Sequence, residues 1–193
     1  NPAQPDAYAN LGHIHFRQEH WNKAIEEFDH AIALGSNKPD TYYFAGLARS
    51  KQKAYGEAIP FLQKAVSMRS HKADYHFDLG NAFRQVGSFD EALQEYRQTL
   101  AIKPRHPQAQ NNIGIIFWNL KAYERAEVEF NKALDIQQNL PEIHQNLATL
   151  HLKNNRYANA IPHLDQVLKL QPGNTTAQKL LDHALGQMKK GPS

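Results

Sequence analysis

The side chains with the most chemical reach in this chain are its histidines, 11 among 193 residues. Imidazoles at the right spacing can hold a metal ion or pass a proton. His13 and His15 stand two apart, so on a helix they point to different sides. His144 and His151 stand seven apart on one helical stretch, too far for a shared ion without a third ligand between them. Both also occupy phases that carry aromatic side chains elsewhere in the chain, which suits packing. Cysteine is absent, which removes disulfides, zinc–thiolate sites and a cysteine nucleophile. No glycine-rich loop is present to cradle a phosphate, and no nucleophile elbow. These residues predict no catalysis, no metal and no cofactor.

The phases come from a step of 34 residues. Gly12, Gly46, Gly80, Gly114 and Ala148 follow one another at that step. Ala24, Ala58, Ala92, Ala126 and Ala160 form a second series, and Trp21, Tyr55, Phe89, Tyr123 and Tyr157 a third. Self-similarity at a fixed period of this length is the signature of a repeat architecture.

Each unit holds two amphipathic stretches. In the third unit, Phe77, Leu79, Ala82, Phe83 and Val86 suit a helix buried on much of its circumference. Gly87 can close that helix in the left-handed conformation, and Ser88 can cap the next. Ala92, Leu93, Tyr96 and Leu100 then fall on helical spacing, with Pro104 just beyond. The unit is therefore a helix, a tight turn and an antiparallel helix. A glycine inside a helix costs about 1 kcal/mol, so its recurrence points to close approach of the two axes. Pro60 and Pro162 fall near the end of the first turn of a second helix, which predicts a slight bend and no break. One hairpin cannot bury its apolar face alone, whereas a stack of them can.

The pattern resembles the tetratricopeptide repeats. The first unit carries it at Tyr8, Leu11, Gly12, His15, Ala24, Phe28, Ala31 and Ser36. The third carries it at His76, Leu79, Gly80, Phe83, Ala92, Tyr96, Thr99 and Pro104. The closing proline is missing from units one, two and four, and the glycine becomes Ala148 in unit five. The expected fold is all-α, a right-handed α-solenoid of five 34-residue helix-turn-helix repeats plus a C-terminal capping helix. The units run 5–38, 39–72, 73–106, 107–140 and 141–174. Residues 1–4 match the tail of an upstream repeat, because Pro2 falls in phase with Pro104 and Pro172. The capping helix is expected over 175–190, with Ala177, Leu180, Leu181, Ala184, Leu185 and Met188 on one stripe, and a disordered tail over 191–193.

The charge is +3, from 22 basic and 19 acidic residues that are interspersed. No basic block points to nucleic acid. No apolar run approaches the roughly 18 residues of a membrane span, so direct membrane insertion is not expected. A soluble domain of a longer protein, in the cytoplasm or periplasm, fits this composition.

The resemblance implies a binding surface on the inner face of the first helices. Its inward positions map onto Asn10 and Arg17 in unit one, and onto Tyr43, Phe44 and Lys51 in unit two. In unit three they map onto Asp78, Asn81 and Arg84. In unit four they include Asn111, Asn112, Ile115, Trp118 and Asn119, and in unit five Gln145, Asn146, Thr149 and Lys153. Family members that grip a terminal carboxylate do so with a Lys and Asn set that no register here supplies. The repeat region of the O-linked N-acetylglucosamine transferases offers another mode, an asparagine ladder facing inward. Asn10, Asn112 and Asn146 occupy that phase, interrupted by Phe44 and Asp78, and with no ligand bound the Asn112 and Asn146 side chains are expected to face water. A carboxamide both donates and accepts, so it can pair with a peptide backbone of any sequence. What the resemblance implies is a non-catalytic scaffold binding a protein or peptide in its groove. The alternative is the repeat arm of a larger glycosyltransferase or of a secretion or exopolysaccharide export machine. Self-association through the N-terminal repeat face is a further expectation.

Overall fold

The computed structural model describes residues 4–189. The expectations for residues 1–3, for Lys190 and for the tail 191–193 lie outside them. The described residues form α-helices in antiparallel pairs. The pairs are α1 (Pro5–Arg17) with α2 (Trp21–Ala33), α3 (Pro39–Lys51) with α4 (Tyr55–Met68), and α5 (Ala73–Gln85) with α6 (Phe89–Ile102). They continue with α7 (Pro107–Asn119) and α8 (Tyr123–Ile136), then α9 (Pro141–Lys153) and α10 (Tyr157–Leu170). A single helix, α11 (Thr175–Lys189), follows. Contacts divide the chain into two compact units, meeting at Pro104 and Arg105. The first holds three hairpins. The second holds two hairpins and α11. Among the described residues no helix is long and apolar enough to cross a membrane.

Proline at the first helical position opens α1, α3, α7 and α9, where its missing N–H costs nothing. An acid sits in the first turn of α1, α3, α5 and α9, and a cation in the last, which complements the helix dipole. The second helices open instead on the aromatic series, from Trp21 to Tyr157. Pro60 and Pro162 lie inside unbroken helices, as their position predicts. Ser88 stands at the start of α6 but its side chain makes no capping bond. His106 does cap its helix, accepting from the Ala109 N–H at 3.2 Å.

All five tight turns close in the same way. Glu19, Lys53, Gly87, Lys121 and Asn155 each take a positive φ, between 56° and 83°. The next residue's N–H then reaches back to the carbonyl five positions earlier, as His20 does to His15 (2.9 Å) and Ala122 to Phe117 (2.9 Å). This is a Schellman-type closure. The sequence announced it only at Gly87. Elsewhere the fold forces a residue with a Cβ into a conformation that costs roughly 1–2 kcal/mol.

The glycine series is explained by contact. A Cβ placed on Gly12, Gly46, Gly80 or Gly114 would lie 2.6 to 2.9 Å from Phe28, Leu62, Tyr96 or Phe130. Each of those partners lies on the second helix of the same hairpin and is fully buried. In the first unit these contacts feed one apolar seam of Ala24, Phe28, Ala45 and Ala48, and a second of Ala58, Leu62, Leu79 and Ala82. In the second unit Ala148, Ala160, Leu164 and Val167 carry the seam into α11 through Ala177 and Leu181.

Apolar positions depart from expectation in three helices or their ends. Val86 is 46% exposed, because α5 has ended at Gln85. In α11, Leu185 and Met188 are 41% and 50% exposed. The packed stripe is narrower than the apolar one, resting on Ala177, Leu181 and Ala184. In α1, Leu11 and Ile14 are exposed, while their counterparts Ala45 and Leu79, Ala48 and Ala82 are buried. That is the face on which self-association was expected.

Two outcomes follow from this packing. Lys121→Gly should raise stability by about 0.5–1 kcal/mol, since relief of the left-handed strain exceeds the extra entropy of the unfolded chain. A urea midpoint that falls would refute the strain assignment. Leu181→Asp should cost about 3 kcal/mol or more and loosen α10 and α11, whereas Leu185→Asp should change stability little. Hydrogen exchange across residues 157–189 distinguishes the two variants.

Candidate functional site

In the first unit the inner positions mostly bond to one another. The Tyr43 hydroxyl donates to Asp78 at 2.6 Å, and the Asn81 amide donates to the same carboxylate at 3.3 Å. Tyr96 in turn donates to the Asn81 carbonyl at 2.8 Å. Tyr75 stacks on Tyr43 with ring centres 4.3 Å apart and donates to Asp40. Burial raises the Asp78 carboxyl above its usual range, against the bonds from Tyr43 and Asn81 and the charge of Lys51. Burial likewise raises the Tyr43 hydroxyl, with the neighbouring Asp78 adding to the effect. Phe44 is part of the seam between hairpins. It meets His13, Phe16 and Tyr43 edge-on, at 4.5, 5.2 and 5.2 Å. Asn10, Arg17 and Lys51 are exposed, and Arg84 is half-buried. The structure therefore joins Tyr43, Asp78 and Asn81 into one network that stiffens the face. It leaves Asn10, Arg17 and Lys51 toward solvent.

The second unit is different. Here Ile115, Trp118 and Asn119 of α7, Phe130 of α8, and Asn146 and Thr149 of α9 line a cavity of about 330 Å³. Phe130 forms the floor, held there by the missing side chain of Gly114. Trp118 forms a wall, edge-to-face with Tyr123 at 5.7 Å. The Lys153 ammonium sits 5.5 Å from the Trp118 ring centre and 5.2 Å from that of Tyr123. Such cation–π placement holds a lysine against the two rings without a carboxylate.

Asn146 was expected to face water. It is half-buried, and its amide donates to the Asn111 carbonyl oxygen at 3.0 Å. That leaves the Asn146 oxygen and one N–H for a ligand. Asn112 and Gln145 are half-buried beside them. Thr149 gives its hydroxyl proton to the Gln145 carbonyl at 2.8 Å. An apolar floor, an amide rim and one ammonium can seat a side chain and bond a main chain. Among the described residues, no cluster of three or more His, Asp or Glu could hold a metal ion.

Family models described as tetratricopeptide repeat match residues 5–38, 39–72, 77–141 and 141–174. The chain belongs to the tetratricopeptide-repeat family. No curated protein matches it by sequence. Among solved structures it is similar to MamA, with 27% identity and a TM-score of 0.69 over 72% of this chain and 81% of that one. MamA of Desulfovibrio magneticus RS-1 matches at 18% identity and a TM-score of 0.80, over 89% and 97%. YrrB, described as a tetratricopeptide-repeat protein with an unusual peptide-binding site, matches at 19% and 0.75, over 93% and 92%. Tetratricopeptide repeats typically serve protein–protein interaction, and scaffolds of this family are generally non-catalytic.

Aligned as tetratricopeptide repeats, the two units reveal one shared address. Tyr43 to Asp78 and Asn111 to Asn146 are both bonds between residues 35 apart, linking the first helices of successive repeats. The first pair is an acid and a phenol, the second two amides. The inward mapping also contained Ile115, Asn119 and Thr149 of the cavity. It missed Phe130, which comes from a second helix. The only sequence signal for Phe130 is that it stands sixteen positions after a phased glycine.

Gly114→Ala tests that dependence. The added methyl meets Phe130 Cε1 at 2.6 Å, and Phe130 is 1% exposed. The helix gains about 1 kcal/mol in propensity and loses roughly 1–3 kcal/mol to overpacking. The expected result is a lower melting temperature together with altered Trp118 emission, as the ring is pushed into the cavity. An unchanged or raised melting temperature would mean that the glycine is not needed for the approach.

Proposed function

We propose that this tetratricopeptide-repeat chain is a non-catalytic scaffold that holds an extended segment of a partner protein. One large apolar side chain of that segment enters the cavity between α7 and α9. The observation that carries this reading is the cavity itself, with Trp118 and Phe130 as apolar surface and Asn119 and Asn146 at its edge. Its volume of about 330 Å³ lies at the small end of ligand sites, which suits a side chain better than a cofactor. The amides offer donor and acceptor to a main chain without reading its sequence. Half-buried Trp118 is the type of residue that dominates binding energy at interfaces. Among the described residues no cation lines the cavity, and the Lys153 ammonium lies over the Trp118 ring, in place of the stripe of cations that nucleic acid requires. The likeness to YrrB, whose description names a peptide-binding site, is compatible with this reading.

A random-peptide library selected against the folded chain supplies the test. Selected peptides should share one large apolar residue and shift Trp118 emission. Trp118→Ala should weaken them by about 2 kcal/mol, or roughly thirtyfold. Asn146→Ala should cost about 0.5–1.5 kcal/mol, the worth of a neutral hydrogen bond. Selected peptides that bind both variants at full affinity would place the partner elsewhere on the array.

A further inference from the structure

In three repeats the two helices of a hairpin meet through a side-chain pair nineteen residues apart. His76 faces Glu95 in α5–α6, Nδ1 to Oε2 at 2.6 Å. Gln110 donates to Glu129 in α7–α8. In α9–α10 the pair is His144 and His163, with Nδ1 to Nδ1 at 3.0 Å. The first two pairs set a donor against a carboxylate. The third sets two imidazoles against each other.

The proton count in that third contact is constrained. His144 Nε2 lies 2.9 Å from the Gln138 carbonyl, which can only accept, so Nε2 carries the hydrogen. Its Nδ1 is then an acceptor, and His163 donates from its own Nδ1. One proton fits between the two nitrogens. With both rings cationic, two N–H groups would meet head-on. A third ring closes the cluster: His151, buried, stacks on His163 with centres 5.6 Å apart and planes 20° apart. Its Nδ1 is buried without a hydrogen-bond partner.

The surroundings give little relief to added charge. Among the described residues, Glu127 of α8 is the carboxylate that faces the trio, 3.9 Å from His151 Nε2. Its other oxygen is taken by Arg156 at 2.7 Å, and that guanidinium acts against a cation on His151. Burial, then the charges of His144 and His151, bring His163 down to about 4, with Glu127 opposing. Burial lowers His151 as well, again against Glu127.

We propose that the α9–α10 hairpin is an acid-releasable clasp, closed only while His163 and His151 are neutral, which opens locally on mild acidification while the α5–α6 hairpin stays shut. The sign follows from proton counts. Below the ordinary value of 6.5 the open hairpin protonates both rings and the closed one does not. Stability is therefore full above 6.5 and is lost as pH falls toward about 4. Each excluded proton raises the opening constant about tenfold per pH unit in that window. His76 behaves oppositely. Its bond to Glu95 raises it above 6.5 against its burial, so its contribution is full at low pH and is lost as pH rises.

Hydrogen exchange on the full chain between about pH 7.5 and 5, corrected for the intrinsic rate, tests the clasp. Peptides from 141–170 should lose protection about tenfold or more per pH unit below 6.5. Peptides from 73–102 should hold or gain. His163→Glu rebuilds the His76–Glu95 pair and should remove the acid loss. His163→Gln still donates to His144 without titrating, so it should cut the loss per pH unit to the share of His151 alone, even if the glutamate variant fails to fold. The proposal is overturned if 141–170 tracks 73–102 across the range in the wild-type chain. It is equally overturned if folded His163→Gln loses protection as steeply with pH as the wild-type chain.

Discussion

Four of the five hairpins close because the first helix has no side chain where the second puts a large, fully buried one. The partner always stands sixteen residues on: Gly12 with Phe28, Gly46 with Leu62, Gly80 with Tyr96, Gly114 with Phe130. The fifth repeat keeps the rule with its volumes rebalanced. Ala148 adds a methyl, and the residue sixteen on is Leu164, smaller than a ring. The contact leaves no slack, since overpacking a filled core costs roughly 1–3 kcal/mol. It thereby sets the distance between the axes, and each seam inherits its spacing from it.

On that fixed spacing, other positions are free to change chemistry. The address that joins successive first helices holds a phenol and a carboxylate in one unit and two carboxamides in the other. The address that joins the two helices of a hairpin holds His with Glu, Gln with Glu, or His with His. Neither address closes the hairpin, so neither must be apolar. Individuality among repeats sits there, and in the hollow left beside Trp118. The first unit uses its polar address to stiffen its own face. The second uses fewer charges and keeps an opening.

The period of 34, the hairpin within it and the glycine series were all legible in the sequence, because each is a one-dimensional pattern that packing preserves. What remained hidden depends on contacts between helices. Spacing along one helix separates His144 from His151 and gives no sign that His163, on the partner helix, lies against both. Phe130 was hidden from the site for the same reason. Asn146 looked like a solvated amide because its bond to Asn111 crosses between repeats. Phe44 fell in an inward phase yet is drawn into the seam by four neighbouring rings. The apolar stripe of α11 was broader in sequence than in the structure because α10 covers only one side of it, leaving Leu185 and Met188 out. Ser88 makes no capping bond, and the turn before it is closed by backbone atoms alone.

That closure also makes the array a natural ruler. Its five left-handed residues recur every 34 positions, and their side chains take no part in the bonds that shut the turn. All five are exposed. The chain contains no cysteine to compete for a thiol-directed probe. A cysteine at any two of these turns would carry a pair of spin labels or dyes at matched backbone geometry. Distances between such pairs would then track how the repeats move against one another, hairpin by hairpin, with each probe standing clear of both the seams and the cavity.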